Sequence, residues 1–139
     1  MAILRRCRNC GALYEGQRCP HCTRKFARKR QQDNESTKLY GSWRWRQCRK
    51  NAILHYMGYD IWLMGIGKVV RLDRPVVHHI LEREERPDLI YRLDNLITVS
   101  ADSHAEIHEM YRKDKPAALH RIAAGIEKFE ELFADDRKN

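Results

Sequence analysis

The sequence predicts an α+β fold with a small metal-binding module at its N-terminus. Three observations favour this class: two closely spaced cysteine pairs near the start, short β-rich segments in the middle, and a helical pattern of apolar residues at the end. At 139 residues the chain has room for one ordinary domain and a small module stabilised by metal. A two-lobed cofactor enzyme is therefore excluded.

The charge of the chain favours a polyanionic partner. Its 27 Lys and Arg against 19 Asp and Glu leave a net charge of +8, and nucleic acid is the first candidate for such a partner. The charge is uneven, because residues 1–74 carry +12 and residues 75–139 carry −4. We therefore expect the N-terminal half to contact a phosphate backbone.

The sequence predicts neither a membrane-spanning segment nor a secretory signal. No apolar run approaches the roughly 18 residues that a membrane span requires. The first residues, a four-residue apolar stub followed by arginines, have neither the length nor the order of a secretory signal. We expect no membrane partner and a location in a reducing cytoplasm.

Four of the five cysteines form two pairs that indicate a zinc knuckle. Two residues separate Cys7 from Cys10, and two separate Cys19 from Cys22, so each short loop lets two sulfurs face one ion. Structural zinc would supply the folding free energy that a segment of about 20 residues cannot obtain from a core. Two disulfides in a secreted module are the alternative, which does not fit the expected compartment. His21 is an alternative ligand.

Two basic segments follow the cysteines and are candidate contacts for nucleic acid. The first, residues 24–38, is interpreted as a frayed basic helix or a linker, and the second, residues 43–57, as an amphipathic helix. Charge runs are often only solvated surface, but beside a zinc knuckle the first segment is well placed to follow phosphates. The candidate residues are Arg24, Lys25, Arg28, Lys29 and Arg30 in the first segment, and Arg44, Arg46, Arg49 and Lys50 in the second.

Short strands are predicted in the middle of the chain. Residues 60–63 and 68–71 are rich in β-formers and flank turn glycines, which favours a hairpin. A further strand is predicted over residues 76–79 and an extended piece over residues 96–99, with a polar loop over residues 82–94 between them.

Two helices are predicted after these strands. Asp102 or Ser103 is expected to cap the first, which runs to about Lys113 before Pro116 interrupts it. The second has apolar residues at the 3-4-3-4 spacing of an amphipathic helix, namely Leu119, Ile122, Ile126, Phe129 and Phe133. This apolar face is expected to pack on the core or, alternatively, on a second copy of the chain.

Four of the seven histidines lie within residues 78–108, and their spacing indicates a catalytic metal site. His78 and His79 are adjacent on a predicted strand and point to opposite sides, so one can bind a metal while the other handles a proton. His104 and His108 are four residues apart, which places both on one face of a helix. Three neutral nitrogen ligands leave open positions for water and phosphate oxygens, as in catalytic sites.

This ordered set resembles the HNH nuclease motif, whose core is the ββα-metal fold. The residues that carry the resemblance are His78, His79, Asn95, His104 and His108. Their spacing is similar to that of the nuclease colicins, whereas the flanking residues 40–46 and 67–70 look more like small HNH proteins of tailed phages and prophages. The resemblance implies a ββα-metal core with flanking helices and an N-terminal zinc knuckle.

The resemblance also implies roles for these residues. His78, His104 and His108 would bind the metal, His79 would be the general base, and Asn95 would hold the loop so that His79 is correctly aimed. The implied reaction is hydrolysis of DNA phosphodiester bonds to a 5′-phosphate and a 3′-hydroxyl. Many relatives have Asp at the position of His78, and a histidine there favours Mn, Ni or Zn over Mg, so the identity of the ion stays open.

The chain departs from these relatives at a second zinc site beside the core. That site has two cysteine pairs. The second would fall on Ser100 and Ser103 here, and residues 59–77 contain no cysteine, so we expect the site to be absent. Hydrophobic contacts from Ile61, Trp62 and Leu63 are expected to replace it.

We divide the chain into four segments with distinct expected roles. These are a four-cysteine zinc knuckle (1–23), a basic linker (24–38), an HNH nuclease domain (39–115) and a C-terminal amphipathic helix (116–139). The expected partner is DNA, together with phage terminase or portal proteins if the chain acts in genome packaging in a bacterial host cytoplasm. Homing or restriction are alternative roles. A non-catalytic, zinc-dependent DNA-binding or assembly module is the alternative function.

Overall fold

The computed structural model describes residues 3–134, apart from the side chain of Gln32, and confirms the α+β class. Residues 1–2 of the predicted zinc knuckle and residues 135–139 of the predicted C-terminal helix lie outside the described residues. The chain divides into two compact units between Ser42 and Trp43. None of the helices in the described part of the chain has the length and apolar character needed to cross a bilayer.

The N-terminal unit consists of a small hairpin and one long helix. Strands β1 (Leu4–Arg6) and β2 (Leu13–Glu15) pair antiparallel, and helix α1 (Pro20–Gly41) follows. Proline suits the start of α1 because its missing N–H would have no partner in the first turn. Residues 24–38, the basic helix or linker of the sequence analysis, lie within α1.

Apolar burial contributes little to the N-terminal unit. Among the residues of this unit that the structure describes, Cys19 and Cys22 are buried, while Leu4, Leu13 and Phe26 are exposed. A unit with so little buried apolar surface is of the kind that a bound metal can stabilise.

The described part of the C-terminal unit contains five helices and strands. Four of them lie where the sequence predicts a helix or strand, and the short helix at residues 61–64 replaces a predicted strand. Its elements are α2 (Trp43–Tyr56), α3 (Ile61–Met64), β3 (Val76–His79), β4 (Leu96–Val99) and α4 (Ala101–Phe133). Two short 3-10 turns, Pro87–Leu89 and Leu93–Asn95, interrupt the predicted loop. β3 and β4 pair antiparallel, with Val76 opposite Val99 and His79 opposite Leu96.

The predicted hairpin over residues 60–63 and 68–71 is wrong. Residues 61–64 form a single helical turn, and the second segment contributes one isolated bridge, between Tyr59 and Arg71. The turn forms because the Asp60 carboxylate accepts a hydrogen bond from the backbone N–H of Leu63 at 3.1 Å and caps it. Burial of consecutive side chains, Ile61 and Trp62, fits a packed helical turn and not a half-exposed strand.

Asp60 also connects α3 to the start of α4. Its fully buried carboxylate accepts hydrogen bonds from the Ser100 backbone N–H at 3.0 Å and from the Ser103 hydroxyl at 2.7 Å. Ser100 is the cap of α4, since its side chain accepts from the Ser103 N–H, so the predicted caps Asp102 and Ser103 are wrong. Ser100 and Ser103 therefore both hold the buried carboxylate of Asp60.

Helix α4 bends at Asp114, close to the predicted interruption. Asp114 has non-helical backbone angles (φ −156°, ψ 81°), and its carboxylate accepts from the Ala117 N–H at 3.1 Å. Pro116 has no backbone N–H to continue the helix across this point, and Asp114 caps the helical segment that follows it. Beyond the bend, Ile122 and Phe129 are buried in the core, which confirms packing of this face on the same chain.

Glycine is required where α3 and α4 meet. A Cβ atom on Gly125 would lie 2.1 Å from the carbonyl oxygen of Ile61, and one on Gly65 would lie 2.4 Å from that of Arg121. The backbones of α3 and α4 therefore lie closer together than a Cβ atom at either glycine would allow. This contact fixes the core beside β4, whose four residues are all buried.

Candidate metal centre

Three histidines from β3 and α4 converge on one point. One ring nitrogen each from His78, His104 and His108 lies within 4.8 Å of the other two. His104 and His108 occupy successive turns of α4, and their Nε2 atoms are 3.2 Å apart. The ring centroid of His78 lies 5.2 Å from that of His104 and 5.3 Å from that of His108. The structure thus brings together the three predicted ligands.

The donor set fits a divalent transition metal. Two nitrogens bound to one ion at about 2.1 Å lie about 3.0–3.4 Å apart, which matches the separation of the two Nε2 atoms on α4. Imidazole suits Zn, Ni and related ions better than Mg. His78 is buried, whereas His104 and His108 are only half-buried, so one side of the cluster is open to solvent. An ion held here would keep positions for other ligands.

Burial favours the neutral form of His78 and His104. It lowers the pKa of His78 to about 3, with further lowering from the neighbouring His104 and His108. Burial and the proximity of His108 also lower the pKa of His104. Neutral rings have a lone pair to offer a metal, so the environment favours coordination at neutral pH.

Two further side chains, neither predicted from the sequence, contact the histidine cluster. The Tyr111 hydroxyl lies 3.3 Å from His78 Nε2 and donates to the carbonyl oxygen of Ile80 at 2.7 Å. Burial, together with the charges of nearby carboxylates, raises the pKa of Tyr111. The Glu82 carboxylate lies 3.9 Å from Nδ1 of His108. Tyr111 follows His104 and His108 on one face of α4, so its helical spacing in the sequence could have identified it as a neighbour of the cluster. No pattern in the sequence identifies Glu82 in this way.

His79 lies outside this cluster and has a different environment. Its ring stacks on the indole of Trp45, with centroids 5.0 Å apart and planes at 25°. Its Nε2 lies 3.1 Å from the carbonyl oxygen of Ile90. Because a carbonyl oxygen can only accept, Nε2 carries the proton and Nδ1 keeps a lone pair. Burial lowers the pKa of His79, which favours the neutral ring.

Asn95 closes the loop that contains Ile90. Its side-chain oxygen accepts from the Leu81 N–H at 2.8 Å, and its amide nitrogen donates to the carbonyl oxygens of Leu81 at 3.0 Å and Leu89 at 3.4 Å. Leu89 directly precedes Ile90, the residue whose carbonyl accepts from His79. Asn95 therefore fixes both ends of the loop next to the hydrogen-bond acceptor of His79.

Trp45 is the site residue that sequence reasoning missed most clearly. The basic residues around it led to an interpretation of α2 as a nucleic-acid surface, yet Trp45 is only 5% exposed and packs with Ala52 and Leu96. No local pattern connects it to His79, because the two meet only when α2 packs against the β3–β4 pair.

The four N-terminal cysteines form a second cluster suited to metal. Cys7 and Cys22 have their sulfurs 3.7 Å apart, as do Cys10 and Cys19. Four sulfurs at about 2.3 Å from a tetrahedral ion lie about 3.8 Å apart, whereas a disulfide needs about 2.05 Å. The geometry therefore fits one ion held by four thiolates and not two disulfides. Backbone N–H groups of Cys10 and Asn9 lower the pKa of Cys7 to about 6, which favours a thiolate ligand.

The candidate nucleic-acid contacts fall into two groups. All five on α1 are exposed, and Arg24, Lys25, Arg28 and Lys29 line one surface of that helix with Pro20 and His21. On α2, the Arg44 guanidinium lies 3.9 Å from the ring centroid of Tyr91, and Arg49 donates to the Pro75 carbonyl oxygen at 3.2 Å. Arg46 and Lys50 are exposed. The structure thus brings four cations together on α1 but gives Arg44 and Arg49 partners within the fold.

The residues of these two clusters are the basis for any functional assignment. Each cluster brings donor atoms of one chemical type to distances that suit a single ion, and each could hold a metal such as zinc. Comparisons of the chain with family models, with curated proteins and with solved structures found no match.

Proposed function

We propose that this chain is a metal-dependent HNH endonuclease that hydrolyses phosphodiester bonds in DNA. One observation carries the proposal: a buried histidine whose Nε2 lies against a backbone carbonyl, so that Nδ1 keeps its lone pair, is next in sequence to a member of a three-histidine cluster that could hold a metal. The order of the contributing elements, β3, β4 and the first turns of α4, supports a ββα-metal core. The resemblance to the HNH motif in the spacing of five residues is further support for the proposal; these residues are His78, His79, Asn95, His104 and His108.

His79 acts as the general base in this proposal. Its Nδ1 takes a proton from a water molecule as the water oxygen bonds to phosphorus and the bond to the 3′-oxygen breaks. The leaving oxygen takes a proton from solvent. Two groups stabilise the positive charge of the resulting imidazolium. The Ile90 carbonyl accepts a hydrogen bond from Nε2–H, and the face of the Trp45 indole makes a cation–π contact. Asn95 contributes by donating a hydrogen bond to the carbonyl of Leu89, the residue before Ile90.

The remaining histidines provide the metal centre. His78, His104 and His108 would hold a divalent cation (Mn, Ni, Zn or Mg), which supplies stabilisation for the negative charge that develops on the phosphate. Tyr111 orients His78 by contacting its Nε2. Cys7, Cys10, Cys19 and Cys22 would hold a structural zinc that folds the N-terminal unit.

DNA binding is assigned chiefly to the exposed cations of α1. Four of them share one surface of the helix, and the unit to which they belong has little buried apolar structure. Contacts of this kind bind the phosphate backbone without reading sequence. Arg46 and Lys50 of α2 are further candidates because they are exposed.

A plasmid-nicking assay tests the proposal. The wild-type protein should relax supercoiled plasmid with added Mn²⁺, Ni²⁺ or Mg²⁺ and fail to do so with EDTA. His79→Ala should cut at least about a hundredfold more slowly, because general-base catalysis contributes roughly that much. His120→Ala, which changes an exposed histidine away from the site, is the matched control and should cut normally. Wild-type activity in His79→Ala would refute the role of His79.

One observation favours the non-catalytic alternative. The exposed cations that share one surface lie on α1, whereas the loop and helix around the histidines are rich in Glu and Asp. A chain that binds duplex DNA but never nicks it, with any of these metals, would support a DNA-binding or assembly module.

A further inference from the structure

We propose that Glu82 is the carboxylate that orients His108 for metal binding. Its Oε1 lies 3.9 Å from Nδ1 of His108, while Nε2 of the same ring lies 3.2 Å from Nε2 of His104. The imidazole therefore presents one nitrogen to its fellow ligand and the other to a carboxylate. The inference rests on the metal binding that the proposed function requires, not on DNA cleavage.

The chemistry of a metal-bound imidazole explains why a carboxylate belongs there. A neutral histidine that binds through Nε2 must carry its proton on Nδ1, so Nδ1 needs an acceptor. Carboxylates in this position fix the tautomer and the ring orientation and strengthen the ligand. Glu82 is within ion-pair distance, and a small rotation of its flexible side chain would close a hydrogen bond. Imidazole ligands that bind a metal through a lone pair bring no charge of their own, so Glu82 also supplies negative charge beside the cation.

Glu82 is better suited to this role than its acidic neighbours. The others near the centre already have cationic partners in the fold: Glu84 pairs with Arg83, Glu85 with Lys115 and Glu109 with Lys113. The backbone of Glu82 is also fixed, because its carbonyl oxygen accepts from the N–H groups of Glu85 at 3.0 Å and Arg86 at 2.9 Å. The loop after β3 therefore holds this carboxylate at the open side of the cluster.

Nickel titration tests this role. Full-length protein carrying one equivalent of zinc is titrated with Ni²⁺ by calorimetry, and His104→Ala identifies the heat that belongs to the histidine site. Glu82→Gln and Glu82→Ala should each bind Ni²⁺ about tenfold more weakly, in line with the loss of a carboxylate partner of a ligand histidine. Glu109→Gln removes the same charge from the residue next to His108 and should bind like wild type.

The outcomes separate this inference from the nuclease assignment. Thermal unfolding of Glu82→Gln carrying one equivalent of zinc should match that of wild type in the same state, since the Glu82 side chain is 36% exposed, so weaker Ni²⁺ binding would not reflect misfolding. Wild-type affinity in Glu82→Gln, or an equal loss in Glu109→Gln, overturns the role of Glu82. Absence of Ni²⁺ binding in wild type overturns both the role and the metal centre. A tenfold loss in a protein that never cuts DNA supports Glu82 and overturns the nuclease.

Discussion

At the scale of single residues, a step of one position along β3 separates two kinds of chemistry. Side chains alternate across a strand, so His78 faces the α4 histidines while His79 faces Trp45. His78 is buried beside the two α4 histidines, and the Nε2 of His79 lies against a carbonyl oxygen that fixes its tautomer. Backbone geometry thus keeps the proposed ligand and the proposed base apart.

Trp45 gives the first prediction at this scale. Removing its ring should slow cleavage about tenfold, because the imidazolium of His79 loses a cation–π interaction of roughly 1 kcal/mol and a surface that fixes its plane. Trp45→Leu should show this loss in single-turnover nicking with unchanged metal content, and Trp45→Phe should recover much of the rate. Trp43→Leu, two residues away and 69% exposed, is the control. Equal rates in the two leucine variants would show that the stack is unimportant.

The five residues of the candidate site could be selected from the sequence, but their surroundings could not. His78, His79, Asn95, His104 and His108 lie in order along the chain, and their spacing carries information. Trp45, Glu82 and the Ile90 carbonyl become neighbours of these residues only through tertiary packing. Backbone carbonyls have no sequence signature at all.

At the scale of elements, regular patterns were predictable and capped or buried turns were not. Periodic apolar residues identified α2 and the second half of α4, and β-branched runs identified β3 and β4. Residues 61–64 also look like a strand locally. They become a helical turn because Asp60 caps them and because two glycines let α3 and α4 pack closely. Local propensity yields to tertiary contacts of this kind.

The glycine contact between α3 and α4 gives a prediction about stability. Gly125→Ala should destabilise the protein by about 3 kcal/mol, because the new Cβ would lie 2.1 Å from a backbone oxygen that cannot move aside cheaply. Urea unfolding measures the change. Gly41→Ala is the control, since a Cβ there meets nothing within 4 Å, and its stability should change by less than about 0.5 kcal/mol. Similar midpoints for the two variants would contradict the close approach.

At the scale of the whole molecule, charge and chemistry are carried by different units. Residues 1–42 hold ten Lys or Arg and three Asp or Glu, whereas residues 43–139 are nearly balanced. The first unit has four exposed cations on one surface, and the second holds the histidine cluster. The net charge that suggested a nucleic-acid partner is therefore concentrated beside the cysteines.

This separation predicts how DNA binding responds to salt. The test compares duplex binding over a range of salt concentrations, by fluorescence anisotropy, in a His79→Ala background that does not cut. The quantity compared is the slope of the logarithm of the DNA-binding constant against the logarithm of the salt concentration. Replacing Arg24, Lys25, Arg28 and Lys29 with alanine should make this slope less steep by about 3–4, close to 0.9 for each phosphate that is no longer neutralised. Arg112→Ala with Lys128→Ala, two exposed cations of the second unit, should leave the slope nearly unchanged. An unaltered slope in the α1 variant would place the DNA-binding surface elsewhere.

The most direct measurement of the central claim is metal content and plasmid cleavage, side by side, in His79→Ala and His104→Ala. We predict that elemental analysis finds the wild-type metal content in His79→Ala together with loss of cleavage, because His79 handles a proton and binds no ion. His104→Ala should lose the ion of the histidine site and cleavage together, while zinc at the cysteines stays. Cleavage at the wild-type rate in His79→Ala, or unchanged metal content in His104→Ala, would contradict the account.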